Sequence, residues 1–243
     1  MIKKEDKKGS HVGVMISFVI FVTFIIFVYA VVQPAVISHK DKEAMLDFLE
    51  LGIRNRISYE MTTGTAYILY PVSQNCVELD GIRTALNIGT KVSARNDVGE
   101  GIAVYLSPSD SNDLKILRTS VSNNLLKISY SEGFNTAGTN TMSCAVLGKD
   151  SGYKLGITQT QEYVFQTKMI ELIGEYSNYE VLKSQLAIPE GVEFGFGMVL
   201  SDGTEIYTNG DEPSVDIYIK ESSITYVDAG GNIQTGYLKT KIW

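Results

Sequence analysis

Histidine is almost missing from this chain. Of 243 residues only His11 and His39 carry an imidazole, and both flank one long apolar run. The roughly 200 residues beyond it therefore hold no Ser-His-Asp or Cys-His nucleophile and no His-rich zinc site. The two histidines themselves read as interfacial residues at the two ends of that run. Cysteine is nearly as scarce, and Cys76 and Cys144 alone cannot complete a structural zinc site. No Asn-x-Ser/Thr acceptor occurs, so sequon glycosylation is not implied. A basic surplus is lacking too. The segment through His11 sets four lysines against Glu5 and Asp6, and with −7 overall the rest carries −9. That balance argues against nucleic acid as a partner. Gly99-Glu-Gly101 and Gly195-Phe-Gly197 lack the strand-loop-helix setting of a phosphate site and read as turn and strand glycines, so no cofactor is expected.

What the chain has in abundance is one apolar run. Residues 12–32, VGVMISFVIFVTFIIFVYAVV, are 21 positions without an ionisable side chain. At roughly 1.5 Å per residue such a helix is about 31 Å long, close to the roughly 30 Å core of a bilayer. Isolated backbone in lipid satisfies itself only as a helix. Lys3, Lys4, Lys7 and Lys8 precede the run, while Lys40 and Lys42 are the nearby cations after it. This bias predicts a single-pass protein of the cell membrane, with its N-terminus cytoplasmic and its C-terminal part extracytoplasmic. The run is longer than the apolar core of a cleaved secretory signal, about 7–15 residues, and no A-x-A site follows it.

Lys7-Lys8-Gly9-Ser10, set directly against this helix, resembles the class III signal of type IV pilins and archaeal pilin-like or pseudopilin-like membrane proteins. The resemblance implies cleavage after Gly9 by a prepilin-type peptidase, leaving Ser10 as the new N-terminus. It departs from the family at Val14, where many pilins carry a glutamate as fifth mature residue. That departure argues against a major filament subunit more than against the family. The closing segments AIPEGVEFGFGMVLSDGTEI and SITYVDAGGNIQTGYLKTKIW also look like the tail end of archaeal pilin-like proteins.

Past Gln33-Pro34, where a kink is expected, the helical period resumes. Leu49, Ile53 and Ile57 share one face with Met45 and Phe48, and Asp47, Glu50 and Arg54 are predicted to turn away. One helix is expected over residues 10–58. From Thr65 short runs rich in Val, Ile, Tyr and Thr predict strands near 66–72, 91–95, 101–107, 113–118, 125–131, 143–147 and 153–158. DVGEG and VDAGGNIQ read as hairpin turns, and GFNTAGTNT (133–141) as an exposed loop. Residues 159–187 predict a helical insertion, with a capping box at Ser177-Asn-Tyr-Glu180. Strands return at 193–200, 215–220, 223–228 and 236–243. The fourteen tyrosines fit sheet faces better than an adhesive surface.

The sequence thus predicts an α+β chain. Residues 1–11 form a basic tail, 12–33 a transmembrane helix, 34–60 its continuation, and 61–243 a β-rich, mostly antiparallel ectodomain. Cys76 and Cys144, expected outside the cytoplasm, are a candidate disulfide. Asp110-Ser-Asn112-Asp113 and Asn209-Gly-Asp211-Glu212 are oxygen-rich, yet neither has a calcium loop's spacing, and both read as solvated turns. No metal site and no catalytic residue is singled out, and an enzyme is not expected. The resemblance implies a minor pilin or pseudopilin-like structural subunit, partnered by the membrane, other pilin-like subunits and the prepilin-type peptidase. The alternative is a membrane-anchored extracytoplasmic binding domain that does not polymerise.

Overall fold

The computed structural model describes residues 11–120, 124–210 and 216–243. It divides into two compact units, one ending at Asp47 and the other Phe48–Trp243. The chain is α+β, with one N-terminal apolar helix and one large, mostly antiparallel sheet. Helix α1 (His11–Ile57) belongs to both units. Within its first part Thr23 returns its hydroxyl proton to the Val19 carbonyl at 2.5 Å, so this polar group is satisfied inside the helix.

In the second unit α1 ends at Ile57 and β1 (Ser58–Ile68) begins at the next residue. The switch follows the sequence, which passes from Leu and Arg to the β-branched and aromatic run SYEMTTGTAYI. Leu49, Ile53 and Ile57 are all 0% exposed, the expected i, i+4, i+8 stripe. Two neighbours on this helix depart from expectation. Phe48 is 47% exposed, and Glu50 is buried instead of turned to solvent. Glu50 accepts hydrogen bonds from Arg54 (2.8 Å), Lys220 (2.7 Å) and Ser222 (2.7 Å). Three donors supply what water otherwise would, which is how a carboxylate comes to lie on an inner face.

The remaining elements are β2 (Cys76–Leu79), α2 (Ile82–Leu86), β3 (Val92–Arg95), β4 (Gly101–Leu106), β5 (Leu114–Leu117), β6 (Leu125–Tyr130) and β7 (Ala145–Leu147). After them come β8 (Tyr153–Phe165), α3 (Gln166–Glu175), a 3-10 turn (Tyr176–Asn178) and α4 (Tyr179–Gln185). The chain closes with β9 (Phe194–Val199), β10 (Glu205–Tyr207), β11 (Tyr218–Val227) and β12 (Ile233–Ile242). The twelve strands lie in the order β10-β9-β12-β11-β8-β1-β6-β3-β4-β5-β2-β7. Among the described residues, β8–β11 and β2–β7 are the strand pairs that run parallel, and β8 meets β11 at Val164 and Phe165.

One core fills the space under β1, β6, β3 and β4, with Ala66, Ile68, Leu126, Ile128, Val92 and Ala94 pointing into it. A smaller cluster on the opposite face joins Met61, Phe134, Phe165 and Val227, where the Phe134 and Phe165 rings meet edge to face at 5.2 Å. α3 lies against β8 and β9, burying Met169 and Leu172. β12 alternates cleanly: Leu238, Thr240 and Ile242 are buried while Tyr237, Lys239 and Lys241 face outward.

Three expectations are corrected here. The helical insertion does not begin at 159, because residues 159–165 continue β8. They pair antiparallel with β1 from Gln159↔Thr63 to Val164↔Ser58, and this ladder outweighs the weak helical period. The capping box at Ser177 and Glu180 does not form. α4 starts at Tyr179, and Ser177 donates to the Gly174 carbonyl at 2.9 Å as part of the preceding turn. GFNTAGTNT is not wholly exposed, since Phe134 is buried against Phe165. Gly133 is needed beside it, for a Cβ there would stand 2.3 Å from the Phe165 ring.

Candidate functional site

The residues marked out in the sequence fall in different places. Gly9 and Ser10, with the tail lysines, lie outside the described residues, as do Asp211 and Glu212. Cys76 and Cys144 are joined as a disulfide, Cα–Cα 4.8 Å, closing a span of 68 residues beside the β2–β7 pair. Asp110 acts within its own turn, accepting from the Asn112 amide at 2.8 Å, whereas Asp113 is buried rather than solvated and accepts from the distant Gly81 amide at 2.8 Å. Burial raises the Asp113 pKa, opposed by the Gly81 bond and reinforced by Asp110, Asp80 and Glu78. No group of three or more His, Cys, Asp or Glu suited to a metal stands among the described residues.

Two features of the surface invite a partner. The first is in α1, where Gly13–Ala30 is long and apolar enough to cross a membrane and none of it is buried within the chain. Phe18, Phe21, Phe24 and Phe27 are each at least 60% exposed.

The second is a groove of about 470 Å³ on the face of β3, β6, β1 and β8 that turns away from the main core. Strand register builds its floor. Arg95 stands opposite Lys127, and Lys127 opposite Thr65. One step along, Ser129 stands opposite Thr63, and Thr63 opposite Gln159. Thr63 and Ser129 share a hydrogen bond of 2.9 Å across the strands. Met61 and Tyr163 bring the small aromatic cluster to one end of the groove.

The β11–β12 turn forms a wall. Ser93 Oγ and Arg95 Nη2 donate to the Gly230 carbonyl at 3.3 and 3.5 Å, while Asp228 holds the Asn232 amide at 2.7 Å. Gly231 has φ +81°, and a Cβ there would come 2.6 Å from Ser93 Oγ, so the turn reaches the sheet only with glycine at that position. Burial lowers the Arg95 pKa and the Asp228 charge raises it; the guanidinium stays cationic.

Among the described residues, the lining contains no carboxylate. Two like charges facing across a ladder destabilise the pair, and the surrounding hydroxyls and amides offer both donors and acceptors. The arrangement suits recognition of an anion. Sequence reading places Lys127 and Ser129 on one side of β6, but the partners that make them a site come from the distant strands β1, β3 and β8 and from the β11–β12 turn. The chain matches no family model, no curated protein and no solved structure.

Proposed function

We propose that the chain is a minor pilin or pseudopilin-like structural subunit, anchored by residues 12–32 with its N-terminus cytoplasmic and its β-rich part outside. The observation that carries this reading is the apolar stretch Gly13–Ala30, which buries nothing within its own chain. A helix apolar on every face needs lipid or other helices around it. Further along α1, Phe48 and Leu51 are 47% and 57% exposed, offering apolar surface where sister helices would pack.

The lysine bias supports the orientation. Cleavage after Gly9 would remove all four tail lysines, whose transfer through lipid costs about 2.5–3.5 kcal/mol each. The processed helix is then free to leave the bilayer and join a bundle, whereas the unprocessed one stays anchored. A second reading, an anchored binding domain that never polymerises, draws support from the groove, since ligand capture needs no filament.

The test is a Gly9→Val substitution followed by recovery of sheared surface material. The wild type should enter a sedimentable assembly and the variant should remain in the membrane at full length. Equal recovery of both in the sedimented fraction contradicts the pilin reading.

A further inference from the structure

Arg95 and Lys127 set two cations side by side in the groove, with Asp228 close enough to Arg95 to raise its pKa. They face each other directly across β3 and β6, on the floor of a groove with no acidic side chain among the described residues of its lining. Their surroundings are acidic overall, with −7 on the chain, so a local pair of cations stands out against the general field. Lys127 is exposed and has no hydrogen bond or ion pair among the described residues, and the same holds for the side chains of Thr65 and Gln159. Polar groups are therefore presented on a shaped floor without an internal task.

We propose that this groove binds an acidic carbohydrate, with Lys127 and Arg95 on a sugar carboxylate and Thr65 and Gln159 on neighbouring hydroxyls. Three features select this ligand class. The size, about 470 Å³, lies within the roughly 300–1,000 Å³ of small-ligand sites. The floor mixes hydroxyl and amide groups, which both donate and accept, as a sugar hydroxyl requires. The flanks are apolar: Ile157 is 85% exposed and Ile233 50%, and Tyr163 closes one end, so the less polar faces of sugar rings find cover. A guanidinium beside an ammonium suits a carboxylate, the first as a planar fork and the second as a point charge. The inference is independent of how the N-terminus is processed.

The experiment is titration of the full-length protein, solubilised in detergent, with a galacturonic acid tetramer followed by calorimetry. Maltotetraose serves as the neutral control and a glutamate tetramer as the acidic peptide control. Saturable binding of the uronic acid is expected, weakened by salt, with at least tenfold lower affinity for maltotetraose and for the peptide. Lys127→Gln should reduce affinity at least tenfold, and Gln159→Ala should reduce it severalfold. Because Lys127 opposes another cation, Lys127→Gln should hold or raise the melting temperature while losing ligand, a split that a purely structural lysine would not give. Absent binding, equal binding of maltotetraose or of the peptide, or undiminished binding by Lys127→Gln each overturns the proposal.

Discussion

Glu50 on α1 and Lys220 on β11 meet at 2.7 Å although they lie near opposite ends of the second unit's sequence. Burial pushes the Glu50 carboxyl upward, but hydrogen bonds from Lys220, Ser222 and Arg54 together outweigh it and leave its pKa below the ordinary value of 4.5. A carboxylate depressed on folding stabilises above its unfolded pKa, and that contribution is lost as pH falls through the folded value. Urea unfolding midpoints should therefore hold between pH 7 and 5 and fall below about pH 4.5. Glu50→Gln should lower the midpoint at pH 7 and flatten its acid dependence. A variant with the wild-type acid profile would show that Glu50 is not among the groups responsible.

The buried pair on β2 and β5 gives a second expectation. Lys115 and Glu78 are 6% and 7% exposed and stand opposite each other, with Lys115 Nζ 3.8 Å from the carboxylate and 2.8 Å from the Met142 carbonyl. Ser107 donates to the other carboxylate oxygen. Lys115→Met leaves Glu78 buried without its cation and should cost about 3–5 kcal/mol. Adding Glu78→Leu should recover much of the loss. Chemical denaturation of the three variants measures both effects, and a double variant no better than the single one would mean that packing, not charge, dominates there.

Where side chains alternate in or out along one strand, the sequence was readable. LKISYS shows this on β6, as does the stripe Leu49, Ile53 and Ile57 on α1. Reading failed where the decisive partner lies far along the chain. Residues 159–165 are strand because β1 offers them a ladder, and Glu50 is inward because β11 brings Lys220 and Ser222 to it. Phe134 looked idle in a polar loop until Phe165 came beneath it. The groove was invisible for the same reason. Arg95, Lys127 and Thr65 sit in three separate strands, and only register sets them in one row.

Trp243 is docked by its backbone. Its amide donates to the Glu193 carbonyl and its carbonyl accepts from the Glu193 amide, each at 3.0 Å, while its ring lies against Gly195. Deleting Trp243 removes this bridge and the cover over β9. At about 2–4 °C per kcal/mol for a domain of this size, the melting temperature should drop by roughly 5 °C. An unchanged melting curve would free the indole for a partner instead.

Orientation is open to labelling of intact cells. In the unprocessed Gly9→Val variant, which keeps its tail, a membrane-impermeant amine reagent should modify exposed Lys127 and spare Lys3, Lys4, Lys7 and Lys8 until the cells are broken. Reaction at the tail lysines of intact cells would reverse the topology.

The most direct test of the pilin-like reading is the intact mass and N-terminal sequence of the protein recovered from its native membrane. Cleavage after Gly9 should give a mature chain that begins at Ser10, with the four tail lysines gone and the apolar run intact. A chain that still begins at Met1 or Ile2 contradicts the processing on which the proposed assembly depends.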